Sequence, residues 1–134
     1  MDFDDLQSTS GFSGLKVYGR SKLCNILFTR ELSRRCGGKG ITANCLHPGF
    51  VATRLGDRSG GFLSPVVRLA KVFAVPPEKG AETIVYLASS PDVANVSGEY
   101  FYKCRPATPT MDARNDAAAM RLWIESAKLA GIEP

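Results

Sequence analysis

A chain of 134 residues has the length of one ordinary domain, and its 44% apolar content is enough for a packed core, which excludes a disordered chain. The net charge of +4 is mildly basic and mixed along the chain; the one adjacent basic pair, Arg34-Arg35, has no interleaved aromatic residues and reads as the solvated end of a helix, not a nucleic-acid surface. Four cysteines with no C-x-x-C pair, and a single histidine, argue against a zinc site or a disulfide framework and for reduced thiols facing a cytosol.

In chain order, Met1 to Gly14 is polar and without a period, and reads as a loop. Lys16 to Arg35 predicts a helix. Its apolar residues Leu23, Cys24, Ile26, Leu27, Phe28 and Leu32 form a stripe broader than a surface helix needs, so burial on more than one side is expected. Gly37-Gly38 ends it. Ile41 to Leu46 predicts a short buried strand that runs into a turn at His47-Pro48-Gly49. Gly60-Gly61 opens a loop, Phe62 to Val75 predicts one or two short helices, and Pro76-Pro77 stops them. Glu78 to Ser89 predicts a helix with Pro77 at its start and Ala81, Ile84, Val85 and Ala88 on its core face. Gly98 to Lys103, with Tyr100, Phe101 and Tyr102, predicts a strand. Ala113 to Ala130 predicts a last helix, with Met120, Trp123, Ile124 and Ala127 at helical spacing.

No apolar run approaches the ~20 residues that span a bilayer, and the N-terminus lacks the residue order of a signal peptide. The chain reads as soluble, which leaves open an anchor preceding it. Helix, strand, helices, strand, helix is the order of a parallel α/β sheet. Two strands are too few to cover their own edges and the helix faces, so residues 1–134 are expected to be part of a domain.

The most informative stretch is Tyr18-Gly-Arg-Ser-Lys22. Positions i and i+4 of a helix share one face, so a phenol and an ammonium stand side by side. A neighbouring ammonium favours the phenolate, and a phenol so tuned exchanges a proton with an alcohol or carbonyl oxygen. Taken alone, a surface aromatic beside a solvated lysine is the simpler reading.

A second segment changes the balance. Tyr18-x-x-x-Lys22 followed by Asn44-Cys-Leu-His-Pro48-Gly49-Phe-Val51-Ala-Thr53 resembles the short-chain dehydrogenase/reductase family, whose members carry both motifs in this order. Phe3 to Gln7, Ser21 to Leu32, Leu46 to Gly49, Tyr86 to Pro91, Val96 to Phe101 and Arg121 to Trp123 look like its retinol dehydrogenase branch. The similarity runs over nearly the whole chain and resembles the C-terminal half of a family member.

The resemblance implies an α/β fold: the C-terminal portion of a doubly wound, Rossmann-like parallel-sheet domain without its N-terminal cofactor-binding half. It implies that Tyr18 is the general acid/base at the substrate oxygen, and that Lys22 tunes Tyr18 and holds the nicotinamide ribose. Pro48, Gly49 and Val51 would form the turn that meets the nicotinamide carboxamide, and Thr53 would offer its hydroxyl to the carboxamide or the phosphates. Asn44 would be structural. Phe62 to Val75 would lie in a substrate lid suited to a lipophilic alcohol or carbonyl such as a retinoid. The cofactor implied is NADP, with NAD as the other choice. The helix carrying Tyr18 would pair with its twin in a homodimer, and the parent protein would be cytosolic, or cytosol-facing and attached to a membrane through a preceding segment.

The sequence also departs from the family pattern. Gly37-Gly38-Lys-Gly40 follows a helix and precedes a strand, the wrong context for a pyrophosphate-binding turn. The resemblance puts that turn, the catalytic serine and the tetrad asparagine before Met1; Ser8, Ser10 and Ser13 lie in the loop and do not take the serine's role. His47 reads as a turn residue, Thr53 also as an ordinary helix N-cap, Trp123 as packing, and the Tyr100 to Tyr102 cluster as strand packing. Two functions therefore compete: an NADP(H)-dependent oxidoreductase of retinol dehydrogenase type, which the features favour for the parent protein, and a truncated, inactive chain serving at most as a dimerisation or interaction module, which they favour for the isolated polypeptide.

Overall fold

A computed structural model describes residues 1–49, 51 and 74–133. Its elements are α1 (Gly14–Arg35), β1 (Cys45–His47), α2 (Pro77–Ser89), β2 (Tyr100–Tyr102), β3 (Arg105–Pro106) and α3 (Asp116–Ala130), with single 3-10 turns at Pro91–Val93 and Asp112–Arg114. The strands form one sheet in the order β1-β2-β3. β1 and β2 are parallel, with Leu46 opposite Phe101, as the helical connection between them requires. This is a partial Rossmann-like layer.

β3 was not expected from sequence. Lys103 and Cys104 take positive φ values of 50° and 58°, which reverses the chain and lays Arg105–Pro106 antiparallel to β2. Neither residue is the glycine or asparagine that marks such a turn. Strand β1 is shorter than the expected Ile41 to Leu46. Upstream of it, Ala43 is tied by its carbonyl to the Gly98 amide at 2.7 Å and by its amide to Ser97 Oγ at 3.0 Å. The regular ladder begins only at Cys45.

The core lies where α1 crosses α3. Leu27, Ala119 and Leu122 are buried there, with Phe3, Leu6, Leu23 and Cys24 packed around them. Each large apolar side chain so buried contributes about 1.5–3 kcal/mol. Phe28 stacks on Trp123 with centroids 5.1 Å apart, and Arg30 pairs with Asp116 at 2.6 Å, which aligns the two helices. Helix α3 is capped by Asn115, whose side chain accepts from the Ala118 amide, and ends at Gly131 in the left-handed region.

Three expectations need correction. In α1 the fully buried residues are Leu27 and Glu31, and Phe28 remains 43% exposed, so the helix packs on both α3 and the β1 segment but its broad stripe is only partly buried. In α2 the buried residues are Gly80 and Thr83, while Ile84 and Val85 are more than half exposed. The sheet side offers Val51 and the Lys103-Cys104 turn, and those fit a glycine and a threonine. Arg34 and Arg35 are more than a solvated helix end. Both bind the buried Glu31, Arg35 Nε at 2.7 Å, and Arg35 also lies 4.7 Å over the Trp123 ring. Burial pushes the Glu31 carboxyl up, but the hydrogen bonds and charges of Arg34 and Arg35 outweigh it and the net direction is down.

The N-terminal loop is also organised. The Asp5 carboxylate accepts from the Thr9 amide and hydroxyl at 2.8 Å and from the Ser10 amide at 2.9 Å, while Phe3 and Leu6 dip into the helix seam. Among the described residues no helix is long and apolar enough to cross a membrane, and no group of three or more His, Cys, Asp or Glu side chains is placed to hold a metal ion.

Candidate active site

Tyr18 and Lys22 stand one turn apart near the start of α1, on its open side. Lys22 Nζ lies 5.3 Å from the centroid of the Tyr18 ring, and Tyr18 is 48% exposed. The i, i+4 geometry expected from sequence is therefore present, with the phenol accessible.

The second segment starts beside the other end of α1. Cys45 lies against Thr29 and Arg30: burial pushes its thiol up, while the Thr29 hydrogen bond and the Arg30 charge pull the other way. Upstream, Ala43 lies beside Ser97, which shares a 2.7 Å hydrogen bond with Ser33. β1 thus runs antiparallel to α1. Three strand residues advance ~10 Å, and seven helix residues retreat by about the same length. β1 therefore points toward the helix start that carries Tyr18 and Lys22, although neither residue lines the cleft at the Pro48 turn.

Pro48 and Gly49 follow β1 directly, at the carboxyl ends of β1 and β2. Gly49 has φ 83°, a conformation that glycine adopts without strain. A cleft of ≈ 720 Å³ opens there, lined by His47, Pro48, Gly49, Val75, Thr83 and Tyr102 among others. The carboxyl ends of parallel strands are where open α/β sheets take their ligands. His47 stacks on Tyr102 with centroids 5.6 Å apart, so it forms part of the cleft wall beyond its turn position. Val51 bridges to Val75 and packs against Gly80, where an added Cβ would lie 2.5 Å from Val51 Cγ2. Asn44 joins β1 to the segment before β2 by two hydrogen bonds, a structural role. Thr53 lies outside the described residues, as does most of the Phe62 to Val75 segment.

Two arrangements near the site have little signature in sequence. Arg20, inside the Tyr18-to-Lys22 stretch, reaches back to hold the N-terminal loop. Thr83 Oγ1 accepts the Cys104 amide at 3.1 Å and braces the turn behind the cleft. The available signal for the first was Asp5 with Thr9 and Ser10, a pattern of side-chain-to-backbone turns.

A family model described as enoyl-(acyl carrier protein) reductase matches residues 4–103. The chain belongs to the short-chain dehydrogenase/reductase family. It is similar to retinol dehydrogenase 14 of Homo sapiens, with 42% identity over 98% of this chain and 40% of that protein. Retinol dehydrogenase 13 of Homo sapiens is 41% identical over 99% of this chain and 42% of its own length. The WW domain-containing oxidoreductase of Homo sapiens is 36% identical over 96% of this chain and 31% of its own length. The chain thus spans about 40% of the length of the retinol dehydrogenases it matches. Within the family the structure is the C-terminal part of the Rossmann-like domain.

Membership implies a nicotinamide cofactor, and the donor set fits one end of it. An exposed ammonium at Lys22 and a glycine turn opening onto a cleft are the groups present that would suit its ribose and carboxamide. The fit is to the nicotinamide-ribose end; no set of described residues forms a glycine-rich turn between a strand and a helix for the pyrophosphate.

Proposed function

We propose that this chain carries the proton-transfer part of an NADP(H)-dependent oxidoreductase acting on a lipophilic alcohol or carbonyl such as a retinoid. The observation that carries the reading is the Tyr18–Lys22 pair, one turn apart on an accessible face of α1. The names of the similar proteins supply the substrate class. The nicotinamide, when bound, supplies or accepts hydride at the carbinol carbon. Tyr18 gives its phenolic proton to the substrate oxygen as a carbonyl is reduced, and takes it back in the alcohol direction. Lys22 stabilises the resulting phenolate and binds ribose hydroxyls. Pro48, Gly49 and Val51 orient the carboxamide, and Thr53 adds a hydroxyl donor. On this reading the parent protein works in the cytosol, or facing it from a membrane.

The test is NADPH-dependent reduction of retinal by the purified full-length parent protein, with NADH for comparison. Tyr18→Phe is expected to lower kcat by about 10²–10⁴-fold, the usual contribution of a positioned acid/base, with NADPH binding retained. Full activity in Tyr18→Phe removes the residue from the mechanism.

A second reading is favoured by the exposed apolar side chains of Leu15, Phe28, Ile84 and Val85. On it, the polypeptide is an inactive dimerisation or interaction module. Self-association in sedimentation experiments without NADPH binding supports that reading; saturable NADPH binding with turnover removes it.

A further inference from the structure

The start of α1, which carries the Tyr18–Lys22 pair, has little local support. Ser13 at the N-cap position makes no side-chain capping bond, and the first turn holds no acidic residue. Gly14 opens the helix and Gly19 lies between the two site residues. A helix glycine costs about 0.8–1 kcal/mol relative to alanine. Neither glycine is needed for space, since a Cβ at either position would meet nothing within 4 Å. A helix start of this kind frays unless tertiary contacts hold it.

Arg20 supplies such contacts. Its Nη2 donates to the Asp5 carbonyl at 2.8 Å, to the Leu6 carbonyl at 3.2 Å and to Ser8 Oγ. The loop it grips is itself fixed. The Ser8 amide donates to the Asp5 carbonyl at 3.1 Å, and Ser8 is held at φ 55°. Asp5 ties Thr9 and Ser10, and Phe3 and Leu6 anchor the segment in the α1–α3 seam. Arg20 is two residues from Tyr18 and two from Lys22, about 200° round the helix from each. It can therefore grip the loop on one side of α1 while the phenol and ammonium stay free on the other.

We infer that Arg20 is a positioning residue: by clamping the Asp5–Ser8 loop it holds the uncapped first turns of α1, and so holds Tyr18 and Lys22 in register with each other. The catalytic half of this inference rests on the function proposed above; the clamp itself does not.

Hydrogen exchange on the 134-residue chain tests the clamp, and steady-state kinetics test its consequence. Arg20→Ala is expected to speed exchange of the Tyr18 to Lys22 amides by about tenfold, the equivalent of one to two lost hydrogen bonds. In turnover it is expected to lower kcat by about tenfold with KM for the carbonyl little changed, because geometry and not binding is lost. Arg20→Lys keeps the charge on a shorter side chain that reaches the loop less well, and falls between. Adding Ser13→Asp to Arg20→Ala installs a local cap and is expected to recover both readouts. Should Arg20→Ala lose its helical circular dichroism, Ser8→Ala removes one of the three bonds and is expected to show a smaller shift in the same amides. Wild-type exchange at these amides in Arg20→Ala overturns the inference, as does unchanged kcat in an active protein. A wild type without reductase activity defeats the proposed function instead, and exchange alone then decides the clamp.

Discussion

The side-chain amide of Asn44 donates to the Val96 carbonyl at 2.7 Å, and its oxygen accepts the Glu99 amide at 3.1 Å. One carboxamide thus uses both its donor and its acceptor to fasten the start of β1 to the approach to β2. Asn44→Ala is expected to cost about 1–3 kcal/mol, since two backbone groups lose their partner. Asn44→Asp keeps the acceptor but sets a carboxylate against the Val96 carbonyl, and is expected to be no better than Ala. Urea titration measures both; an aspartate variant as stable as the wild type would show that the bond to Val96 contributes nothing.

The hairpin between β2 and β3 turns through two residues at positive φ that are not glycine. Replacing Lys103-Cys104 by Asn-Gly suits that backbone and is expected to add about 0.5–1 kcal/mol. Thr83→Val leaves the Cys104 amide without the acceptor now 3.1 Å away and is expected to lose about 1–2 kcal/mol. Opposite shifts in thermal midpoint for the two variants are the expected pattern, and shifts of the same sign contradict it.

Gly80 lets α2 lie directly on Val51. A Cβ there would come within 2.5 Å of one Val51 methyl and 3.1 Å of the other. Gly80→Ala is expected to destabilise by about 1–3 kcal/mol despite alanine's better helix propensity, because overpacking displaces its neighbour. It is also expected to weaken nicotinamide binding, since Val51 belongs to the segment proposed to meet the carboxamide. Gly80→Ala with Val51→Ala relieves the contact; stability rising in that double variant relative to Gly80→Ala is the check.

Acid should release the N-terminal loop. Hydrogen bonds from the Ser10 and Thr9 amides and the Thr9 hydroxyl, with a smaller contribution from the Arg20 charge, hold the Asp5 carboxyl below its ordinary value. A carboxyl lowered on folding contributes stability that is present above its unfolded pKa near ~3.9 and is lost as pH falls through the lower folded value. Exchange of the Thr9 and Ser10 amides, corrected for intrinsic rate, is therefore expected to accelerate below about pH 4, and Asp5→Asn is expected to remove that dependence. Glu31, also lowered, acts in the same direction on the α1 terminus, so the Asp5→Asn comparison separates the two.

Much of the framework was legible in the residues. Glycines and prolines marked the ends of α1 and the start of α2, the tyrosine-rich run marked β2, and helical spacing of Trp123 and Ala127 marked α3. The Tyr18–Lys22 geometry follows from helical periodicity, so it needed no tertiary information. What misled was the assumption that the most apolar face of a helix is its buried face. In α2, Ile84 and Val85 stay exposed because the neighbours on the sheet side, Val51 and the Cys104 amide, call for a small residue and a hydroxyl. Arg34-Arg35 read as solvated because a buried carboxylate at Glu31 has no signature in a pattern that scores it as polar.

The sequence by itself determined the family, the order of the described elements other than β3, and the phenol–ammonium pair, because these depend on local spacing and on motifs a few residues long. Tertiary structure alone decided which faces are buried, where β3 forms, and what supports the helix that carries Tyr18. Those outcomes depend on partners distant in the chain: Arg20 with Asp5 to Ser8, Thr83 with Cys104, Gly80 with Val51. Spacing brings Tyr18 and Lys22 together; that β1 runs back along α1 is fixed by packing, which no local motif encodes.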